Sequence, residues 1–297
     1  MKRIVTIQDI SCVGKCSLTV ALPIISAMGV EAGVLPTAVL STHTAIEGFT
    51  FHDLTREIPP ISEHWQKLGF TFDAVYTGYL GSFEQLELCT EFIRTFRMSR
   101  DPLTGKEHPA CVFVDPVMGD HGRLYSGFTT DFVREMGRFC ALADVIVPNM
   151  TEASYLLGID YLKDGEYDEA YVRDVLRRLC GLGVRNAVLT GVSFSPENVG
   201  FMGLNAESGE FFSYFTEKIP NVFHGTGDIF ASTAVGALMN EFSLEDSLAA
   251  AADYTLECIR ETLRDPVGCE YGVNFETAIP YLLRRIGKLN EISGGKE

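Results

Sequence analysis

The chain has 297 residues, 46% of them hydrophobic and 11% aromatic, and its 40 acidic side chains outweigh 24 basic ones for a net charge of −16. That apolar fraction excludes a disordered or low-complexity chain, and at this length folding buries roughly three quarters of the extended-chain surface, so the core needs no staples. The acidic balance argues against nucleic-acid binding, which needs a basic face, but not against a phosphate-bearing substrate, which local donors and metal ions can hold.

The N-terminal MKRIVTIQDI reads as a first strand over Arg3–Ile7 rather than a signal peptide. A hydrophobic helix is expected over Leu18–Met28; the apolar stretch to Val30 is too short to span a bilayer and contains Pro23. No membrane association and a cytoplasmic location are therefore expected. Short β-branched runs follow at Ala74–Thr77, Cys111–Asp115, Val145–Pro148 and Ala187–Thr190. Between them, Glu84–Phe96, Asp131–Leu142 and Tyr171–Leu182 carry helical periodicity, with Glu84, Glu87 and Glu91 on a solvated face. Met98–Pro109 reads as a surface loop. Val199–Leu204 and Phe211–Phe215 alternate as a hairpin turning at Glu207-Ser208-Gly209. Beyond residue 225 the chain reads as almost wholly helical, ending in a frayed Ser293–Glu297.

Such alternation predicts an α/β fold, a mostly parallel sheet with helices on both faces. No linker or repeat divides it, so one domain over residues 1–297 is expected. The eight cysteines are scattered without a C-x-x-C, and buried free thiols are expected rather than disulfides or a zinc site.

In such folds the carboxyl ends of the strands face the ligand crevice. Asp9, Gly78-Tyr79, Asp115, Asn149 with Glu152, and Thr190-Gly191 each follow a different expected strand. Asp9–Ser17 (DISCVGKCS) is superficially P-loop-like, but Asp9 stands where glycine is needed and Cys16 where the Mg²⁺-binding hydroxyl should be.

The chemistry concentrates in Gly225-Thr226-Gly227-Asp228, which opens the helical run Ile229–Asn240. Two glycines let backbone N–H groups converge at a helix N-terminus, which favours an anion. A carboxylate beside such a cradle repels the ligand unless it has a task, and the obvious task is to deprotonate a hydroxyl that attacks a phosphate. Asp228 is thus expected as general base, with Gly225, Thr226 and Gly227 as the anion hole. Transfer from ATP also calls for Mg²⁺, for which Asp115, Asp120 and Glu152 offer oxygen ligands, directly or through water. Asn149–Glu152 equally suits a helix cap, with Asn149 or Thr151 as the N-cap residue.

These segments resemble the ribokinase-like superfamily and, within it, the pyridoxal kinase family: GTGD at 225–228, TGYLGS at Thr77–Ser82, DPVMGD at Asp115–Asp120, PNMTE at Pro148–Glu152 and STHT at Ser41–Thr44. The resemblance implies a three-layer α/β/α fold without a separate lid domain. It implies ATP-dependent phosphorylation of the 5′-hydroxymethyl group of pyridoxal, pyridoxine or pyridoxamine. Asp115, Asp120, Asn149, Glu152 and Thr190 would then serve the ATP phosphates and cation, Tyr125 would lie over the nucleotide, and His43, Thr44 and Tyr79 would line the substrate pocket. A homodimer follows by the same analogy; dependence on a monovalent cation such as K⁺ is left open. Hydroxymethylpyrimidine kinase is a neighbouring possibility, and a silent pyridoxal-phosphate-binding protein a more distant one, since it would not need Asp228. Asp9 departs from the family pattern, where serine commonly contacts the substrate ring. It is expected either to bias the choice of vitamer by pairing with a protonated nitrogen, or to cap the following helix or pair with Lys15.

Overall fold

A computed structural model describes residues 1–44, 46–100, 104–220, 223–267 and 271–289. Strand β1 (Arg3–Val13) is followed by α1 (Leu18–Ala27), β2 (Glu31–Thr42), β3 (Phe51–Asp53), α2 (Ile58–Lys67), β4 (Ala74–Thr77) and α3 (Phe83–Thr95). Then come β5 (Met98–Arg100), β6 (Glu107–Pro109), β7 (Cys111–Val114), β8 (Gly119–Asp120), β9 (Arg123–Leu124), α4 (Thr130–Cys140), β10 (Val145–Ile146), α5 (Met150–Leu157) and α6 (Glu169–Cys180). The chain closes with β11 (Asn186–Ser195), β12 (Asn198–Asn205), β13 (Phe211–Glu217), α7 (Thr226–Met239), α8 (Leu244–Arg264) and α9 (Phe275–Arg285).

Nine strands form one sheet in the order β13-β12-β11-β10-β7-β4-β1-β2-β3. The pairs from β11 through β2 are parallel, and both ends are antiparallel: the β12–β13 hairpin on β11 and β3 on β2. Alternation along the strands sorts the core. Val5, Ile7, Val75, Val112 and Val114 pack on one face with residues of α3, α4 and α6, such as Phe92, Met136 and Val175. Ile4, Ala74, Tyr76 and Phe113 point to the opposite face, where Ile25 of α1, Ala231 of α7 and Leu248 of α8 cover them. Both faces being buried explains why these strands read as continuous apolar runs.

Three expectations change. The run at Met98–Pro109 is not simply a loop: β5 and β6 pair as an antiparallel ladder, residues 101–103 lying outside the described set. The first strand does not stop at Ile7. It continues to Val13 because β2, whose residues 31–42 lacked a clear strand signature, pairs with it along its length, with a register shift between Gln8 and Ile10 that gives β2 one extra residue. Asp9 therefore lies within β1, at the shift. Likewise Thr190 lies inside β11, where Gly191 adopts φ 68° at a second register shift and the chain runs on into the hairpin. Among the described cysteines all seven are free, and Cys89, Cys140 and Cys258 are buried, but Cys12 is exposed. Cys269 and the expected frayed tail lie outside the described residues. No helix among them is long and apolar enough to cross a membrane.

Candidate active site

The N-terminus of α7 lies against the loop that follows β1, with its Asp228 near Tyr76 of β4 and Asp115 after β7. Gly225, the residue before that helix, has φ 81°, and a Cβ built on it would stand 1.8 Å from the Lys15 carbonyl oxygen. Only glycine fits there, because the β1–α1 loop presses directly on the turn. Gly227 differs: a Cβ on it would meet nothing within 4 Å. The protein itself leaves that space open, which suits a cradle for an outside anion. Thr226 begins the helix between them.

Asp228 sits in the first turn of α7, and burial pushes its carboxyl up to about 7. Asp9 nearby adds to the rise, while the Ser17 backbone opposes it. A carboxyl poised near neutrality is matched to accepting a proton from an alcohol at working pH.

Behind the base stand two further buried carboxyls. Asp115 follows β7, and burial together with Glu152 and Asp228 holds its carboxyl well above the usual range. Glu152 is pushed up to about 8 by burial, against hydrogen bonds from backbone N–H groups. Those bonds form a capping box: the Asn149 N–H donates to Glu152 Oε2 at 2.9 Å, and the Glu152 N–H donates to Asn149 Oδ1 at 2.9 Å. The Met118 N–H donates to Glu152 Oε1 at 3.1 Å, and Asn149 Nδ2 donates to the Gly119 carbonyl at 2.9 Å. Asn149 is thus the cap; Thr151 instead accepts the Gly122 N–H at 2.9 Å. Together they tie the start of α5 to the Asp115–Asp120 loop. Thr190 joins the same corner through its N–H and hydroxyl, both on the Pro148 carbonyl. Asp120 is exposed beside His121, 3.5 Å from its Nε2. Tyr125, 45% exposed, titrates above its usual range through burial and the charges of Glu152, Asp120, Asp115 and Asp228. Among the described residues no ion pair with lysine or arginine reaches Asp9, Asp115, Glu152 or Asp228.

On the other side of Asp228, Asp9 is buried and accepts hydrogen bonds from Ser17 Oγ at 2.7 Å and Ser11 Oγ at 3.2 Å. It does not pair with Lys15, whose Nζ is held by Glu276 and Asn274 at 2.8 Å each. Burial raises the Asp9 carboxyl, and Asp9 in turn contributes to the raised hydroxyl of half-buried Tyr79. The Tyr79 ring packs on Phe128 at 5.5 Å between centroids. His43 lies just past β2, its ring 5.5 Å from that of His224; burial and His224 lower its tendency to protonate. Thr44 follows it, exposed. His224, Ser11 and Ser17 were not singled out from the sequence. His224 adjoins GTGD directly, and the two serines belong to the segment rejected as a P-loop, so position beside a known motif was the available signal.

Residues 24–271 match the family described as phosphomethylpyrimidine kinase. The chain belongs to that family. Within this kinase family's neighbourhood, it is 28% identical over 269 residues to the pyridoxine/pyridoxal/pyridoxamine kinase of Bordetella avium, covering 86% of this chain and 84% of that one. It superposes with a TM-score of 0.84 on pyridoxal kinase from Lactobacillus plantarum, at 30% identity, covering 96% of this chain and 97% of the other. A Bacteroides thetaiotaomicron protein, provisionally named a phosphomethylpyrimidine kinase and crystallised with pyridoxal, is 38% identical, with TM-score 0.84 and 95% of each chain covered. The fold is therefore the three-layer arrangement of pyridoxal kinases.

Proposed function

We propose that this chain transfers the terminal phosphoryl group of ATP to the 5′-hydroxymethyl group of a vitamin B6 alcohol, giving the 5′-phosphate. The observation that carries the mechanism is Asp228, a partly buried carboxyl raised to about 7 beside an open glycine cradle at a helix N-terminus. Asp228 accepts the hydroxyl proton as the oxygen attacks phosphorus. The backbone N–H groups of Gly225, Thr226 and Gly227 face the charge that spreads over the transferred oxygens. Asp9, Tyr79, His43 and Thr44 surround the ring of the acceptor; Asp115, Asn149, Glu152, Thr190 and Tyr125 line the nucleotide side.

The nucleotide side also fits Mg²⁺. Asp115 and Glu152 are buried like charges without a lysine or arginine ion pair among the described residues, and Asp120 stands at the mouth. No three acidic, histidine or cysteine residues cluster as a protein-only metal cage among the described residues. That agrees with a cation that arrives with ATP, keeps its waters and leans on one or two carboxylates. Bound there, Mg²⁺ would neutralise phosphate charge that the protein's own acids would otherwise repel.

The family description, phosphomethylpyrimidine kinase, and a Mycobacterium leprae relative named a hydroxymethylpyrimidine/phosphomethylpyrimidine kinase favour a second class of acceptor, the hydroxymethylpyrimidines. One panel separates the two: ATP and Mg²⁺ with pyridoxal, pyridoxine, pyridoxamine and hydroxymethylpyrimidine, scored for phosphorylated product. Turnover of the pyrimidine alone would overturn the B6 assignment. The buried Asp9 carboxylate, served by two hydroxyls and no cation, suits an acceptor carrying a protonated nitrogen, so Asp9→Ser should reorder kcat/KM among the three vitamers. A single kinase domain and a homodimer complete the proposal; sedimentation analysis reads the latter.

A further inference from the structure

Ser82-Phe83-Glu84-Gln85 has the spacing of a capping box, and Ser82 Oγ does accept the Gln85 N–H at 3.1 Å at the start of α3. In such a box the side chain three residues after the cap turns back to the N–H of the cap residue itself. Gln85 reaches one residue further: its Oε1 accepts the Gly81 N–H at 2.8 Å. Its Nε2 leaves the helix altogether and donates to the Thr37 carbonyl at 3.2 Å and to Thr55 Oγ1 at 2.9 Å. The side chain is buried, and its oxygen and nitrogen are both engaged. Glutamate would serve a helix start equally well but has no proton to give a carbonyl when ionised, so capping alone does not account for glutamine here. The partners of the carboxamide belong to the two sides of the acceptor pocket. Gly81 lies under Tyr79: a Cβ on it would stand 3.3 Å from the tyrosine ring and 3.4 Å from its hydroxyl. Thr37 and Ala38 are the two residues of β2 that stand against the single residue Asp9 at the register shift. The Thr37 carbonyl there is shared by Gln85 and the Leu54 N–H, the latter at 3.0 Å.

We propose that Gln85 is a positioning residue for the acceptor: by tying the Tyr79 loop to the β2 bulge behind Asp9, its carboxamide sets the width of the pocket that receives the substrate ring. Gln85 acts through Gly81 and Thr37 rather than on the reacting atoms. The inference rests on the acceptor pocket assigned under the proposed function.

Two variants separate positioning from packing. Gln85→Met keeps most of the side-chain volume and removes all three hydrogen bonds. Combining it with Thr55→Val also removes the buried hydroxyl that has lost its donor, and replacing both partners by apolar groups is nearly neutral to stability. The Thr37 carbonyl keeps the Leu54 N–H in either variant, and Gly81 is exposed, so its N–H can turn to water. The single variant should therefore melt several degrees below wild type, and the double variant should regain most of that loss. Acceptor binding should not recover with it, because Gly81 and Thr37 stay untied. In both variants KM for pyridoxal should rise about ten-fold, with KM for ATP within about two-fold of wild type and kcat within about three-fold. Equilibrium dialysis of pyridoxal without ATP should show the same weakening. A pyridoxal KM that returns to the wild-type value in the double variant along with the melting temperature would overturn the proposal, leaving Gln85 a packing residue. So would values for ATP and pyridoxal that rise together, or a folded single variant with unchanged pyridoxal KM. If Gln85→Met does not fold, the double variant carries the same comparison. A wild-type protein that phosphorylates only hydroxymethylpyrimidine would refute the B6 assignment, and the same split between acceptor and ATP, measured with the pyrimidine, would still decide the role of Gln85.

Discussion

Replacing Asp228 by asparagine should make the unliganded protein more stable at alkaline pH while abolishing its chemistry. Burial raises this carboxyl from 3.8 to about 7. Folding therefore takes up a proton between those values, and the stability associated with the protonated form declines as pH rises through 7. At about 1.4 kcal/mol per pH unit the ceiling is about 4 kcal/mol; the side chain keeps partial contact with solvent, and screening reduces the figure to about 2 kcal/mol. Asparagine keeps the shape of the side chain but never ionises. Thermal melts of wild type and Asp228→Asn without ligand should thus differ little below about pH 4, and by roughly 4 °C in favour of the variant at about pH 8.5, the gap opening between about pH 4 and pH 7 and levelling off above it. Turnover with ATP and pyridoxal should fall by about 10²–10⁴-fold. A stability gap that does not change with pH would show that burial does not control this carboxyl, and near-normal turnover would remove it from the role of base.

Gly225→Ala places a methyl group 1.8 Å from the Lys15 carbonyl oxygen at φ 81°. It should lower the melting temperature by several degrees and kcat by more than about 100-fold, read from melts and steady-state rates. Glu152→Gln leaves only one side-chain oxygen for the N–H groups of Met118 and Asn149. A loss of about 1–3 kcal/mol in stability and a raised KM for ATP should follow, because the Asp115–Asp120 loop loses its tie to α5. EDTA should abolish activity and added Mg²⁺ restore it; full turnover in EDTA would contradict the assignment of the nucleotide side.

Much of this protein is readable from residues alone. Apolar runs such as Ala74–Thr77 and Cys111–Val114 declare themselves because both faces of a parallel strand are buried, and GTGD is recognisable because a glycine turn before a helix has few other uses. Asp115 follows β7 and Asn149 with Glu152 follow β10, neighbours in the sheet, as their local sequence implied.

What depended on three dimensions were the relations between segments distant in the chain. Strand β2 was obscure because Gly33, Pro36 and polar Thr37 break its apolar pattern, and it becomes a strand by pairing with β1. Asp9 looked free to meet Lys15, six residues away, until folding brought Glu276 and Asn274 to that lysine and left the carboxylate to Ser11 and Ser17. The sequence by itself determined the alternation of strands and helices and the kinds of chemistry available at the strand ends, since both follow from local periodicity and residue type. Which carboxyls are buried against one another, and which donors restrain them, was decided only by tertiary packing. Desolvation and charge coupling depend on distances in space, and the chain from Asp9 to Asp228 acquires those distances only when β1, its loop and α7 close on one another.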